Sequence, residues 1–301
     1  MGSGKKVKVV EIGPRDGFQG IAKFIPTEIK IEIINRLYKA GFTRMQITSF
    51  VSPKAIPQLH DSKEVAASVL ESCPDNSFFA LVPNFIGAKA AADAGLKEVV
   101  YVLSLSEAHN KANVGKTIAE SIEEVKKIQQ ELPDLRMIHD IGTVFGCPFD
   151  GAMDKGKLVE LIGELYDIGG AEFTLCDTIG VAYPSRVADI FQTLCKAFPD
   201  VNFAVHIHDT RNMGMLNSYI AIQSGASSIQ SSIGGLGGCP FAPGASGNTS
   251  TEDLIYMFES DGYDTGIDFD MLLETAKYLK QKVEGNYSGH HINIAKSLSC
   301  Y

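Results

Sequence analysis

The sequence Val7-Lys8-Val9-Val10-Glu11-Ile12 is a short run dominated by β-branched residues, and Gly13-Pro14 follows it directly. Such a run, closed by a glycine–proline pair, predicts a buried strand. A helix is predicted next, because Thr27 stands at an N-cap position and apolar residues recur at helical spacing from Ile29 to Tyr38. This strand–helix unit decides the fold, because the rest of the chain repeats it.

Seven further units follow the first. The predicted strands cover residues 43–49, 77–82, 98–105, 135–144, 172–176, 201–208 and 228–233. The predicted helices cover residues 64–71, 86–94, 118–132, 156–168, 185–197 and 215–223, and the eighth begins at Thr251. Eight strand–helix units favour an α/β fold of the (β/α)8 TIM-barrel type. A doubly wound sheet is the alternative, but the chain has no break in composition that would divide such a sheet.

The domain organisation follows from this count. Residues 5–262 are predicted to form one catalytic barrel, because no Pro- or Ser-rich linker interrupts them. Residues 263–301 are predicted to be a C-terminal helical extension packed on the barrel, with an additional helix over 268–284.

Composition excludes several classes of protein. The chain has 301 residues, of which 45% are hydrophobic and 21% charged, which is typical of a globular domain. Six cysteines in 301 residues are too sparse for a disulfide scaffold. None of them forms a Cys-x-x-Cys pair, which argues against a zinc ribbon and a dithiol redox site. The net charge of −9, without a basic cluster, argues against a nucleic-acid partner. No apolar run approaches the roughly 20 residues of a membrane span, so we expect a cytoplasmic protein without a membrane partner.

The end of the first strand carries the first candidate site residues. Barrels of this type place catalytic groups at the carboxyl ends of their strands. Here the segment Gly13-Pro14-Arg15-Asp16-Gly17-Phe18-Gln19 sets a permanent cation beside an oxygen ligand. Arg15 and Asp16 are therefore candidate catalytic residues. The alternative is an ion pair in a surface turn.

The end of the seventh strand carries two imidazoles, in His206-Ile207-His208. Residues two apart in a strand share a face, so both rings can point towards one metal ion. A structural histidine with its hydrogen bonds satisfied is the usual alternative, but two on one face at the predicted catalytic rim favour a metal. Together with Asp16 and the neutral oxygen of Asn248, these histidines form a mixed oxygen and nitrogen set. Such a set suits Mg²⁺, Mn²⁺, Zn²⁺ or Fe²⁺ without choosing among them.

The eighth strand leads into a glycine-rich segment, Gly234-Gly235-Leu236-Gly237-Gly238-Cys239-Pro240. Dense glycines are typical of a mobile lid or of backbone that approaches a ligand closely. Cys239 stands at the predicted tip of this loop, where a thiol can exchange protons. We therefore add Cys239 to the candidate catalytic residues; a plain flexible loop is the alternative.

Taken together, these motifs resemble those of the 3-hydroxy-3-methylglutaryl-CoA (HMG-CoA) lyase family. The resemblance runs in unbroken order from about Val7 to Met257 and beyond. Its matching segments are residues 13–19, 48–54, 146–149, 177–180, 206–210 and 234–248. The family implies a TIM barrel that cleaves a carbon–carbon bond in HMG-CoA, releasing acetyl-CoA and acetoacetate.

The resemblance also implies roles for the candidate residues. A divalent metal, Mg²⁺ or Mn²⁺ with Zn²⁺ as an alternative, is expected on the matches to the family ligands, Asp16, His206, His208 and Asn248. The family further implies that Arg15 stabilises the enolate oxygen and that Cys239 transfers a proton. The partners implied are an acyl-CoA substrate and a second copy of the chain in a homodimer.

Five further residues are expected to contact the substrate, and two of them depart from the family pattern. These residues are Gln19, Gln46, Asn113, Asp140 and Thr178. The family typically has Glu on strand 2 where this chain has Gln46, and Gly-Tyr on strand 5 where it has His139-Asp140. One carboxylate is thus lost and another gained at neighbouring strand ends, which suggests an altered acyl substrate. A Claisen-type acyl-CoA synthase and a catalytically inactive binding module are two further hypotheses for the function.

Overall fold

The computed structural model describes residues 5–75, 77–238 and 247–294. Eight parallel strands form a closed barrel, and each pairs with its neighbours in chain order, β8 returning to β1. This confirms the predicted (β/α)8 TIM barrel and excludes the doubly wound sheet. The strands are β1 Val9–Glu11, β2 Arg44–Ser49, β3 Ser77–Val82, β4 Glu98–Ser104, β5 Arg136–Gly142, β6 Glu172–Asp177, β7 Asn202–Ile207 and β8 Ser228–Ser231.

Helices surround the barrel, and within the described residues they number ten. They are α1 Thr27–Lys39, α2 Ser62–Ser72, α3 Phe85–Asp93, α4 Glu107–Val114, α5 Ile118–Glu131, α6 Lys155–Asp167, α7 Pro184–Ala197, α8 Gly214–Gln223, α9 Thr251–Ser260 and α10 Phe269–Lys282. The sequence predicted all of these except α4. That short polar helix has no clear apolar period, and its ends are set instead by the Ser106 cap and by Gly115 at φ 76°.

The two ends of the barrel differ in chemistry. An ionic cluster joins Arg44, Glu98, Arg136 and Glu172, which begin strands β2, β4, β5 and β6. Above it lies an apolar layer made by Val10, Ile12, Phe79, Val100 and Ile138. Together these layers fill the N-terminal half of the barrel. The remaining polar side chains therefore gather at the opposite mouth, where TIM barrels carry their active sites.

The chain beyond α9 returns to this mouth. α10 packs against α1 and α9, and the segment after it reaches the start of the glycine-rich loop. There the Gly289 amide donates to the Gly234 carbonyl over 3.1 Å, and His291 Nδ1 lies 2.6 Å from Asp253 Oδ1 at the start of α9. The last predicted residues of the extension, 295–301, lie outside the described part of the chain. Among the described helices, none combines the length and the apolar character that crossing a bilayer requires.

Candidate metal centre

Three buried side chains converge at the barrel mouth. Asp16, His206 and His208 each offer a ligand atom, and these atoms all lie within 4.8 Å of one another. His206 lies in β7, and His208 forms a β-bridge with Asn248 just beyond that strand. The structure thus brings together the four residues that the sequence proposed as metal ligands.

Asp16 reaches this position from a π-helical turn, Gly13–Gly17. The Ile12 carbonyl accepts from the amides of both Arg15 and Asp16, over 3.0 and 2.8 Å, which holds the two side chains on consecutive turn positions. Glycine is required at the start of the turn, because a Cβ on Gly13 would lie 2.7 Å from Glu11 Oε1. Single π-turns of this kind occur frequently at functional sites.

Electrostatics keeps the Asp16 carboxylate charged. Burial by itself would raise its pKa, but the Arg15 guanidinium, the two imidazoles and the Asn248 amide together lower the pKa of Asp16 to about 2. Burial, and after it the neighbouring His206, lowers the pKa of His208 to about 4. At neutral pH the cluster therefore offers an anionic oxygen and a neutral imidazole, which are the forms that bind metals.

Two buried atoms beside Asp16 have no hydrogen-bond partner among the described residues. Asn248 Nδ2 donates to Asp16 Oδ2 over 2.6 Å and to the Leu236 carbonyl over 3.0 Å, which leaves Asn248 Oδ1 without a partner. His208 Nδ1 is also buried without one. Unsatisfied buried acceptors are costly, and coordination to a divalent cation would satisfy them. The residues present therefore fit the metal that the sequence predicted, and this donor set suits Mg²⁺, Mn²⁺, Zn²⁺ or Fe²⁺.

Arg15 connects the cluster to strand β2. Its side chain is only 6% exposed, and its guanidinium binds both Asp16 Oδ1 and Gln46 Oε1. Gln46 Nε2 remains buried without a partner in the part of the chain that the structure describes. A permanent cation held in this way beside the candidate metal ligands is suited to stabilising negative charge on a substrate oxygen.

The other predicted substrate residues divide into two groups. Gln19 Nε2 donates to Asp16 Oδ1 over 2.7 Å, and Thr178 contributes a backbone hydrogen bond to His208, so both adjoin the cluster. Asp140 is buried nearby; burial raises its pKa, while a hydrogen bond from Thr174 opposes that rise. Asn113, in contrast, is exposed on α4 and is not brought into this group.

The glycine-rich segment lies over Asn248 as far as it is described. A Cβ on Gly237 would lie 2.5 Å from Asn248 Nδ2, and Gly237 has a φ of 142°, so only glycine fits this approach. Cys239, the predicted proton-transfer residue, lies outside the described residues.

Three residues at this mouth were missed by the sequence analysis. Gln230 and Thr174 are polar residues inside buried strands. A polar residue within an otherwise apolar strand is the sequence pattern that could have identified them. No sequence pattern marks Thr143 as a site residue. In the structure Thr143 is buried at the end of β5 with a φ of 62°, and its amide donates to Thr178 Oγ1 over 2.8 Å. A β-branched residue with positive φ is strained, and such strain clusters at functional sites.

Comparison with known proteins agrees with this geometry. The sequence model of the HMGL-like family matches residues 6–279. A hydroxymethylglutaryl-CoA lyase of Bacillus subtilis is 37% identical over 295 residues, covering 97% of this chain and 98% of that protein. The mitochondrial hydroxymethylglutaryl-CoA lyase of Bos taurus is 39% identical over 279 residues, covering 92% of this chain and 86% of that protein.

Solved structures agree as well. An HMG-CoA lyase from Acinetobacter baumannii, in complex with coenzyme A and 3-methylmalate, superposes with a TM-score of 0.92 at 36% identity. The alignment covers 98% of this chain and 97% of that one. The family model and the full-length relatives lead to one conclusion: this chain is a member of the HMGL-like family, to which HMG-CoA lyases belong.

Proposed function

We propose that this protein is a divalent-metal-dependent carbon–carbon lyase that cleaves HMG-CoA into acetyl-CoA and acetoacetate. The observation that carries the proposal is the Arg15 guanidinium held against Asp16 beside two buried histidines. Relatives named as HMG-CoA lyases over nearly the whole chain support it, and so does the coenzyme A bound to the Acinetobacter baumannii relative.

The reaction places defined demands on the site. The C3 hydroxyl of the substrate passes its proton to a base, the C2–C3 bond breaks to leave a ketone, and the electron pair of that bond moves into the thioester as an enolate. A divalent cation, when bound, supplies a Lewis acid that makes a contacting hydroxyl easier to deprotonate. Arg15 meets the oxygen on which negative charge develops. A proton must then reach C2, and we assign this step to Cys239.

Activity with purified protein tests the proposal directly. With HMG-CoA and Mg²⁺ or Mn²⁺, we expect the protein to release acetoacetate. A coupled dehydrogenase assay measures this product. Arg15→Gln is expected to lower kcat by roughly 100-fold or more, because it removes the charge that stabilises the enolate. Lys54→Gln, at an exposed position, is the matched control. Absence of acetoacetate with either metal would contradict the assignment of HMG-CoA as substrate.

A second candidate is a lyase of the same type with a different 3-hydroxyacyl group. Two buried unpartnered atoms favour it, Asp140 Oδ1 and Gln46 Nε2, because they offer an acceptor and a donor that a methyl group cannot use. A panel of 3-hydroxyacyl-CoA thioesters decides between the two candidates. If HMG-CoA has the highest kcat/KM, the altered-substrate hypothesis is wrong; if Gln46→Glu raises that activity, Gln46 limits it.

Finer features of the proposal have their own measurements. We expect Mg²⁺ or Mn²⁺ in the metal site, a homodimer, a cytoplasmic location and no affinity for nucleic acid or membranes. Elemental analysis of the purified protein and light scattering coupled to size-exclusion chromatography test the first two. Bound Zn²⁺ or Fe²⁺, or a monomeric mass, would revise the respective expectation.

A further inference from the structure

A polar side chain on β8 crosses the barrel mouth to reach β6. Gln230 Oε1 lies 3.0 Å from His206 Nδ1, and Gln230 Nε2 lies 3.0 Å from Thr174 Oγ1. Asp140 is the register partner of Thr174 on the neighbouring strand β5. All four side chains are buried, with at most 6% of any residue exposed. One continuous chain of hydrogen bonds therefore runs from Thr174 through Gln230 to His206.

Strand register explains how this chain forms. Asp140 and Thr174 are register partners on β5 and β6, and His206 and Gln230 are register partners on β7 and β8. The intervening register partner of Thr174 on β7 is Ala204. Ala204 is two residues from His206 and so shares its face. Its small side chain leaves the space through which Gln230 reaches across β7.

The chemistry of the three groups gives the chain a direction. The Gln230 amide nitrogen only donates hydrogen bonds, and the amide oxygen only accepts them. Thr174 Oγ accepts from Gln230, which fixes the amide nitrogen on that side. The amide oxygen must therefore face His206 and accept from its Nδ1. An imidazole that carries its proton on Nδ1 has its lone pair on Nε2.

We propose that Thr174 and Gln230 act as a positioning relay that holds His206 in the Nδ1-protonated tautomer, with Nε2 free to bind the metal. The relay presupposes the metal site of the proposed function, but it concerns the free protein as well. Without Thr174 the Gln230 amide has no group that distinguishes its two ends. It could then rotate and present a donor to His206, which would favour the wrong tautomer.

The first test reads the tautomer in metal-free protein without substrate. With nitrogen-15-labelled histidine at about pH 8.5, where a free imidazole is neutral, chemical shifts distinguish protonated from unprotonated ring nitrogens. The His206→Gln variant identifies the His206 signals. We expect protonated Nδ1 and unprotonated Nε2 in the wild type. Thr174→Val is expected to give a mixture of tautomers, whereas the control Thr174→Ser keeps the hydroxyl and the wild-type signals.

The second test measures metal affinity by competition with a chelator, using Mn²⁺ and Zn²⁺ as probes. Thr174→Val is expected to weaken binding by roughly 10-fold to 100-fold, as is usual for groups that orient a metal-bound histidine. Thr174→Ser should bind like the wild type. Ala204→Leu provides a further variant, because it fills the space that Gln230 crosses without removing a polar group. It should have the same effects as Thr174→Val.

Two results would overturn the relay. One is a wild-type His206 with its proton on Nε2, and the other is a Thr174→Val or Ala204→Leu protein with unchanged tautomer and metal affinity. If one variant does not fold, the other supplies the measurement. Neither readout uses HMG-CoA, so a protein that fails to cleave HMG-CoA while keeping the tautomer pattern contradicts only the proposed substrate.

Discussion

The Glu11 carboxylate on β1 accepts a hydrogen bond of 3.0 Å from the Ile233 amide, which begins the glycine-rich segment after β8. The same oxygen accepts from the Gly13 amide over 2.7 Å, and the other carboxylate oxygen accepts from Thr251 Oγ1 over 2.7 Å. One buried side chain thus joins the turn that carries Arg15 and Asp16 to the loop and helix that follow the last strand.

Replacing Glu11 should therefore destabilise the protein and loosen the site together. Glu11→Ala leaves two buried amides without acceptors, each at a cost of about 1–3 kcal/mol. We expect the free energy of unfolding in urea to fall by about 2–5 kcal/mol. Glu28→Ala, at an exposed position on α1, should change it by less than about 0.5 kcal/mol. An unchanged unfolding midpoint for Glu11→Ala would show that the Glu11 hydrogen bonds do not stabilise the protein.

A second buried carboxyl, Glu252, makes stability depend on pH. It accepts from the Gly234 amide, and burial raises the pKa of Glu252 to about 8. Between about pH 4.5 and 8, Glu252 is therefore protonated in the folded state and ionised in the unfolded state. The stabilisation that this bound proton contributes is complete below the pKa of Glu252 in the unfolded state. It is lost as the pH rises through the pKa of Glu252 in the folded state.

Glu252→Gln should remove this dependence, because an amide stays neutral while its oxygen still accepts from Gly234. The wild-type free energy of unfolding, minus that of Glu252→Gln, should decrease from pH 5 to pH 8, with a limiting slope of about 1.4 kcal/mol per pH unit. Urea titrations at four pH values measure it. The exposed variant Glu71→Gln should show no such slope, and a difference that increases with pH would reverse the predicted sign.

His208→Ala should abolish both stoichiometric metal and turnover. The substitution removes one of the three clustered ligands, and His208 Nδ1 has no other partner among the residues that the structure describes. Elemental analysis after gel filtration gives the metal content, and acetoacetate release gives the activity. His60→Ala, on the exposed surface, is the control. Retention of one metal per chain by the variant would remove His208 from the ligand set.

Gly237→Ala should weaken metal binding, whereas Gly238→Ala should not. A Cβ on Gly237 would meet the Asn248 amide, while a Cβ on Gly238 has no heavy atom of the described residues within 4 Å. Gly237 also has a positive φ that alanine adopts only with strain. We expect a metal affinity at least about 10-fold lower for Gly237→Ala, in the chelator competition used above. Equal affinities would show that the loop does not position Asn248.

Periodicity in the sequence was enough to predict the barrel, because each strand–helix unit carries its own pattern of burial. The same reasoning placed Arg15, Asp16, His206 and His208 at one mouth, since parallel strands align their carboxyl ends. It failed at α4, a short helix fixed by its Ser106 cap, on which Asn113 lies exposed.

The sequence by itself thus determined the fold and the set of candidate metal ligands, through local patterns and through the strand ends. Only the tertiary structure decided how those ligands are held. Gln230 lies far along the chain from Thr174, and their contact depends on strand register and on the small Ala204 between them. Hydrogen-bond direction is a property of such a closed network, so no single segment of sequence contains it.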